Sequence, residues 1–444
     1  MKDLVRKVAV GLASTALVAQ SLVIPSFAEI TVVVSGNGSD SNNDANIDIN
    51  NATQVNQSNT ANVSNNVNAS ANTGGNDAKD NTGGGVSIDT GDAEASATVV
   101  NTVNSNEAVV EDCGGCPGDL SVVISGNGSD SHNEVDVDVN KSHSKNPEPN
   151  KWIQQTNTAN VTNDVNVKAN SGYNDAEDNT GGDVEINTGE ATAEAVVVNQ
   201  LNANVAWLGG SNGGALELII SGNGSDSDND IDVDLNDNVG ILQNNYANVS
   251  NEVDVKANSG KNDAEDNTGG TTSIDTGDAE AGAMVDTMAN FNAAYVADCC
   301  LFDGLVKIAG NGTDSENDVD LDLASSLYTA QDNELACGGR EEFPFPFPLV
   351  SEFPFDGHHR QDCNEVEALA DSGKNDAEDN TGDPEHDPSI DTGNAATTVE
   401  VATSGNSNVF STGDAMPSPS PWDSWEEDGS MNWWFWFLTG SMEG

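Results

Sequence analysis

Alternation of apolar and polar residues recurs along the chain and predicts β-strands. It is clear in EVDVDVN (134–140), NDVNVKAN (163–170) and NEVDVKAN (251–258), where every second side chain would face the same side of a sheet. Clusters of Gly, Asn, Asp and Ser separate these runs, as turns require. Helical signals are nearly absent beyond residue 28, so we expect an all-β fold.

Three sequence markers recur in a fixed order and divide the chain into repeats. The first reads SGNGSDSNNDANIDIN (35–50), and it returns as SGNGSDSHNEVDVDVN (125–140), SGNGSDSDNDIDVDLN (221–236) and AGNGTDSENDVDLDLA (309–324). NDAxDNTG and IDTGDA-like markers follow it each time. Because internal repetition determines architecture more than local propensity does, we predict four tandem repeats of about 90 residues. Their bounds are 29–116, 117–212, 213–300 and 301–415, with an insertion at 338–362 in the fourth.

The composition of the first repeat favours a thin core. No Phe, Tyr or Trp occurs between Phe27 and Trp152, whereas a β-sandwich fills its interior with bulky residues. Small β-branched residues suit the stacked coils of a solenoid, and Asn-rich runs such as 54–72 suit amide ladders along a stack. We therefore predict a β-solenoid or β-helix with about three coils per repeat. Tandem β-sandwich domains are the alternative.

The charge of the chain restricts its partners. The 444 residues include 14 basic and 74 acidic ones, for a formal charge of −60. Such a chain lacks the clustered Lys and Arg that nucleic acid requires and would be repelled by anionic lipid surfaces. The charge favours solubility and cation binding.

The N-terminus predicts export. Residues 1–28 combine basic Lys2, Arg6 and Lys7 with an apolar run and the small residues Ser26 and Ala28, which is typical of a signal peptide cleaved after Ala28. An N-terminal membrane anchor is the alternative. No later stretch is long enough to span a bilayer, so we expect an extracellular or cell-surface chain with no transmembrane span after cleavage.

The acidic part of the first marker is a candidate calcium site. Alternate strand residues share a face about 7 Å apart, so their carboxylates would repel one another. Ca²⁺ takes six to eight oxygen ligands and would relieve that repulsion. The alternatives are a solvated acidic face that blocks aggregation and adaptation to high salt. The predicted ligands are Asp130, Glu134, Asp136, Asp138, Asp226, Asp228, Asp230, Asp232, Asp234, Asp314, Glu316, Asp318, Asp320 and Asp322. The NDAEDN turns add Asp175, Glu177, Asp178, Asp263, Glu265, Asp266, Asp376, Glu378 and Asp379.

Cysteines in an exported chain are expected to pair. QDNELA before Cys337 corresponds to QNNYAN (243–248), and NEVEALADSG after Cys363 corresponds to NEVDVKANSG (251–260). The two cysteines therefore stand at the feet of the insertion, and we predict a disulfide that closes it. The pairing of Cys113, Cys116, Cys299 and Cys300 stays open, and zinc is an alternative for them.

Two aromatic segments are candidate partner-binding sites. In the insertion, prolines alternate with aromatic rings and favour extended geometry that would display the rings; folding back over the solenoid end is the alternative. Residues 416–444 form a Pro/Ser linker and an aromatic tail that would dock to a surface or a partner, or seal the solenoid. The candidate contact residues are Phe343, Phe345, Phe347, Phe353, Phe355, Trp433, Trp434 and Trp436.

SGNGSDS, the NDAxDNTG segments and SIDTGDA together resemble uncharacterised exported Asn/Gly/Asp-rich repeat surface proteins of candidate-phyla bacteria. That resemblance covers nearly the whole chain after residue 28 and implies a surface location. Gly222, Gly224 and Asp226 resemble the calcium-binding G-G-x-G-x-D repeat of RTX proteins, which recurs every nine residues in that family. The run IQQTNTANVTNDVNV (153–167) resembles curlin-type repeats.

The sequence predicts a structural rather than an enzymatic role. It contains no G-x-S-x-G, HExxH or P-loop motif, and its many carboxylates single out no catalytic pair. We expect an exported cell-surface structural or adhesive protein that contacts other surface or matrix components, or itself, with calcium as its cofactor. The alternatives are a self-assembling extracellular fibre subunit and a polysaccharide-acting β-helix enzyme.

Overall fold

The computed structural model describes residues 20–22, 30–50, 52–111, 119–140, 149–209, 215–296, 303–338, 362–382 and 387–412. In chain order, these residues form the strands β1 (Gln20–Leu22), β2 (Ile30–Ser35), β3 (Asn42–Ile49), β4 (Thr53–Asn72), β5 (Val86–Asp89), β6 (Ala93–Glu111), β7 (Leu120–Ser125), β8 (His132–Val139), β9 (Lys151–Asn170), β10 (Val184–Thr188), β11 (Ala191–Gly209), β12 (Ala215–Ser221), β13 (Asp228–Asn258), β14 (Thr272–Thr276), β15 (Ala279–Val296), β16 (Asp303–Ala309), β17 (Glu316–Cys337), β18 (Asn364–Asp371), β19 (Ser389–Asp391) and β20 (Ala395–Thr412).

The fold is all-β with parallel sheets, as predicted, and the described residues contain no helix. The strands form four sheets. Three of them have the strand orders β2-β7-β12-β16, β5-β10-β14-β19 and β1-β6-β11-β15-β20. In the fourth sheet, the long strand β13 pairs with β8 and β9 on one side and with β17 and β18 on the other, and β3 and β4 pair with the outer sides of β8 and β9. Apart from β1, every strand pairs with strands from a neighbouring repeat. The repeats therefore do not fold as separate sandwiches.

The spacing between paired residues of neighbouring strands equals the period of the sequence repeats. Ile124 pairs with Val34 and with Ile220, and Ile220 pairs with Ile308. The separations between equivalent hydrogen-bonded residues are 90, 96 and 88, the spacing of the first sequence marker. Each repeat therefore supplies one broad layer, and the prediction of about three coils per repeat is wrong. The segments of a repeat form different sides of one layer instead of stacking on one another.

The layers enclose a core of small apolar residues. One cluster packs Val165 and Val253 of the long central sheet against Ala193 and Ala281 of the opposite sheet. A second cluster packs Ile220 and its equivalents against Ile231 and its equivalents. Phe291 is the only aromatic residue among the buried hydrophobic residues that the structure describes. The absence of bulky residues from the first repeat thus matches a core that is narrow throughout.

Polar residues inside the layers form amide ladders, also as predicted. The Asn157 side chain is fully buried. Its Nδ2 donates to Asn245 Oδ1 in the next layer at 3.1 Å, and to Asn204 Oδ1 and Ala203 O across the core at 2.8 and 3.1 Å. Asn59 donates to Asn157 from the layer below at 3.1 Å. Because a buried amide is costly unless it is hydrogen-bonded, these ladders allow a polar sequence to fill the interior.

The corners explain the Gly-Asn-Gly part of the first marker. A Cβ on Gly128 would collide with the backbone of Gly38 and Ser39, and one on Gly224 would collide with Gly128. Only glycine lets successive layers approach this closely. This close approach explains the second glycine of the marker. The first glycine has φ values of 68° to 73° in the four repeats, a left-handed conformation that favours glycine.

Candidate functional site

The acidic face follows from strand alternation in β13. Ile231, Val233 and Leu235 are buried, whereas the aspartates between them are only half-buried and belong to the opposite face of the strand. The strand thus has one apolar face toward the core and one carboxylate face away from it. The sequence predicted this division correctly.

Register turns the carboxylate rows into a grid, which we call the acidic grid. Asp230 lies between Glu134 and Asp318 in the neighbouring layers. Asp232 has Asp136 and Asp320 as its neighbours, and Asp234 has Asp138 and Asp322. Adjacent strands are about 4.8 Å apart, so charges are closer between layers than along a strand. The first layer contributes Asp44, Asn46 and Asp48.

Asp230, in the first column of the grid, lies among like charges. Burial raises the pKa of Asp230, and the charges of Asp318, Glu134 and Asp228 raise it further. His132 lies at the edge, where its Nδ1 is 3.1 Å from Asp228 Oδ2. A positive charge near Asp230 would relieve this repulsion.

Three predicted ligands have a different explanation. Asp130, Asp226 and Asp314 occupy the corner with φ values of 53°, 54° and 60°. Asp tolerates the left-handed region better than most residues. The backbone turn therefore gives a structural reason for aspartate at this position, beside the predicted role as a calcium ligand.

The NDAxDN turns form a second acidic set, which we call the turn cluster. Its members stack as two columns: Asp77, Asp175, Asp263 and Asp376; and Lys79, Glu177, Glu265 and Glu378. Between the first two layers Lys79 neutralises the column, because its Nζ lies 2.6 Å from Asp175 Oδ2 and 2.7 Å from Glu177 Oε2. The third and fourth layers have glutamate in place of this lysine.

The upper part of the turn cluster lacks that neutralisation. Burial raises the pKa of Asp263, and the charges of Asp175 and Asp376 raise it further. The charge of Asp263 in turn raises the pKa of Glu265. Asp263 Oδ1 is buried and has no hydrogen-bond partner. A cation bound here would take the place that Lys79 holds two layers below.

The described residues bring no three or more His, Cys, Asp or Glu side chains into an arrangement that would already hold a metal ion. The grid and the turn cluster are surfaces of stacked carboxylates and not closed coordination shells. Binding of Ca²⁺ would require side-chain rearrangement and water ligands.

The insertion is closed at its feet by the predicted pair of cysteines. Cys337 and Cys363 are joined in a disulfide, with their Cα atoms 4.3 Å apart. The other four cysteines, the candidate phenylalanines and the candidate tryptophans lie outside the described residues. So does most of the segment 1–28, of which β1 pairs with Ala108–Val110.

No protein-family model matches the chain, and no curated protein or solved structure is similar to it. Within the part of the chain that the structure describes, no helix is long and apolar enough to cross a membrane.

Proposed function

We propose that this chain is an exported structural protein of the cell surface, acting as a stalk, an adhesin or a matrix component. The observation that carries the proposal is the parallel register that joins all four repeats into one stack. Nearly all described residues serve that stack through strands, ladders and corners. A surface of repeated, equivalent side chains suits a role in spacing or attachment better than a role that needs one unique pocket.

We infer further that the four layers form a β-solenoid. The parallel pairing of equivalent strands supports this interpretation, and so do the continuous ladders, since both are expected where similar coils stack. Solution scattering tests it: a solenoid requires the compact cross-section of a stack, whereas independently folded repeats would give a flexible chain of beads.

Calcium is proposed to stabilise the stack at the turn cluster, where Asp263 and Glu265 face acidic neighbours without a lysine. A ligand that binds only the folded state raises its stability by mass action. We expect the melting temperature of residues 29–444 to be higher in Ca²⁺ than in EDTA at fixed ionic strength, with a smaller effect of Mg²⁺.

Two matched variants locate the proposed cation. The double variant Asp263→Asn with Glu265→Gln should melt higher than wild type in EDTA, because the repulsion is removed, and should lose most of the calcium effect. Asp230→Asn with Asp232→Asn, in the acidic grid, should keep that effect. Identical melts of the wild type in Ca²⁺ and EDTA would contradict the calcium part of the proposal and leave the structural part standing.

Export is proposed from residues 1–28. Expression in a bacterial host and mass determination of the exported product test it, with Glu29 expected as the new N-terminus. A product retained in the cytoplasm at full length would contradict export.

The phenylalanines of the insertion and the tryptophans of the tail are the proposed contacts to other surface components.

A further inference from the structure

The stack ends in two different sheet edges. At one end, which we call the layer-four edge, β16 to β20 pair on one side only. At the other, the layer-one edge, β2 to β5 also pair on one side, while β6 carries the short β1. Edge strands present backbone N–H and C=O groups that can pair with a further strand.

The layer-four edge exposes side chains that are buried one layer below. Val306 and Ile308 are 50% and 48% exposed, whereas their partners Leu218 and Ile220 are completely buried. Layer four is what covers Ile220. A layer with an equivalent register would cover Ile308 in the same way.

The layer-one edge has the register that such a covering layer needs. Val34 and Ile308 belong to one apolar column, connected through Ile124 and Ile220. A layer-one edge placed on layer four would therefore continue the column. The same relation joins Ile47 to Leu321.

Each amide ladder has a donor end and an acceptor end, so its two ends differ. The ladder of Gln57, Gln155, Gln243 and Gln331 donates from layer four toward layer one, whereas two Asn ladders donate from layer one toward layer four. Asn37 Nδ2 donates to Asn127 Oδ1 at 3.0 Å, Asn127 donates to Asn223 at 3.1 Å, and Asn223 donates to Asn311 at 3.2 Å. The ladder from Asn106 to Asn408 runs the same way. Such a ladder has its amide NH₂ directed outward at layer four and its carbonyl oxygen at layer one. These two ends complement each other.

The charges of the two edges also differ. β4, on the layer-one edge, contains no ionisable residue, whereas the equivalent part of layer four carries Asp332, Glu334, Glu365, Glu367 and Asp371. Within the chain, Asn66 Nδ2 already donates to Asp164 Oδ2 of the next layer at 2.9 Å. Along β4, carboxylates of layer four would meet amides and hydroxyls of layer one in this way, whereas Asp44 and Asp48 of β3 would meet Asp318 and Asp322. Two layer-four edges would lack the neutral partner that β4 provides.

We propose that the layer-four edge of one copy binds the layer-one edge of a second copy in the same parallel register. The contact is heterologous and does not close, so repetition produces a filament. Each copy adds four layers, or about 19 Å of length. This inference depends on the observed stack and not on calcium or on a cell-surface role.

The test uses residues 29–444. This chain keeps every strand except β1. In the full-length chain β1 pairs with Ala108–Val110 on the layer-one edge, which is where residues 410–412 of a second copy would pair in the proposed register. Sedimentation velocity over a concentration series and negative-stain microscopy should show end-to-end oligomers and thin filaments that lengthen with concentration.

One pair of variants tests the apolar column. Ile308→Glu places a charge inside the joint and should weaken association by about tenfold or more. Leu305→Glu adds the same charge to the same strand on its opposite face, where the neighbouring layer already has Glu217, and should leave association unchanged. Circular dichroism checks that both variants fold.

A second pair tests the charge argument from the other edge. Asn68, Asn166, Asp254 and Glu367 form one column. Asn68→Asp would oppose Glu367 of the next copy and should weaken association. Asn166→Asp adds the same charge inside the stack and should not affect association.

Four results would overturn the proposal, two of which concern the form that association takes. The first is a wild-type chain that stays monomeric at all concentrations. The second is association that Ile308→Glu and Asn68→Asp leave as strong as in wild type. The third is association that stops at a dimer. The fourth is a monomer that assembles only after residues 416–444 are removed, because its own tail would then be the occupant of the layer-four edge.

Discussion

A single amide illustrates how a polar interior is stabilised. Asn157 donates three hydrogen bonds and accepts two, from Asn59 at 3.1 Å and from Asn106 at 3.0 Å. Asn157→Ala would remove these five hydrogen bonds, each of which contributes about 0.5–1.5 kcal/mol net. We expect the free energy of unfolding to fall by about 3 kcal/mol or more, as measured by denaturant titration.

Asn160 on the same strand provides the matched control. It points to the opposite face, and its Nδ2 donates to Asn62 at an exposed position at 2.9 Å. Asn160→Ala should cost less than about 1 kcal/mol. Equal effects of the two alanine variants would mean that the buried ladders contribute no more than surface amides.

Asp286 is a buried carboxylate whose titration affects stability. Burial raises its pKa to about 6, with a further contribution from Glu400. Because the pKa in the folded state lies above the unfolded value, the favourable contribution is complete below about pH 4 and is lost as pH rises through about 6. Asp286→Asn should therefore raise the free energy of unfolding at pH 7 by about 2 to 3 kcal/mol.

The pH profile gives the decisive readout for Asp286. Relative to wild type, the gain from Asp286→Asn should shrink as pH falls from 7 to 4. Asp275→Asn, at an exposed position paired with Asn187, is the control and should give a pH-independent difference near zero. A gain that is constant between pH 4 and 7 would contradict the assignment to this carboxyl group.

At the scale of the element, the sequence predicted the strands and their faces well. The alternation around Ile231 and Val233 specified which side chains are buried, because a period of two leaves no other arrangement on a one-sided sheet. The Asn-rich runs also predicted the ladders. Cys337 and Cys363 were identifiable because the repeats align on both sides of the insertion.

The number of coils per repeat could not be read from local patterns. The strands within one repeat resemble one another in alternation and composition, so periodicity alone does not say which of them pair. The long period, preserved between Ile124 and Ile220, carried that information. Asp226 is ambiguous in a similar way, since a left-handed corner and a calcium loop both favour aspartate.

The disulfide joins the end of β17 to the start of β18 across the insertion. Cys337 and Cys363 are 26 residues apart, and closing a loop of this length stabilises a fold by about 3 kcal/mol in the chain-entropy model. We expect Cys337→Ser with Cys363→Ser to lower the stability of the fourth layer by about this amount. Hydrogen exchange should show the loss in β17 and β18 and little change in β9. Uniform loss through the stack would indicate a single cooperative unit.

At the scale of the whole molecule, one repeat equals one layer, and each layer contacts only its neighbours. Stability should then be approximately a sum over layers and the boundaries between them. The columns also make the layers interchangeable, because Ile124 and Ile308, or Asn157 and Asn333, would match each other if the layer between them were absent.

Removal of one complete layer tests this architecture. Deletion of residues 215–302 removes one 88-residue period and would place the second layer directly on the fourth, with apolar and amide columns intact. We expect a folded three-layer chain with an unchanged circular dichroism spectrum per residue and a lower melting temperature.

Deletion of residues 215–244 is the control. It removes about a third of a period, which would be one coil if each repeat held three coils. That variant should lose cooperative unfolding, because β12 and half of β13 leave gaps in two sheets. If the shorter deletion were instead the better tolerated of the two, the repeating unit of the stack would be smaller than the repeat in the sequence.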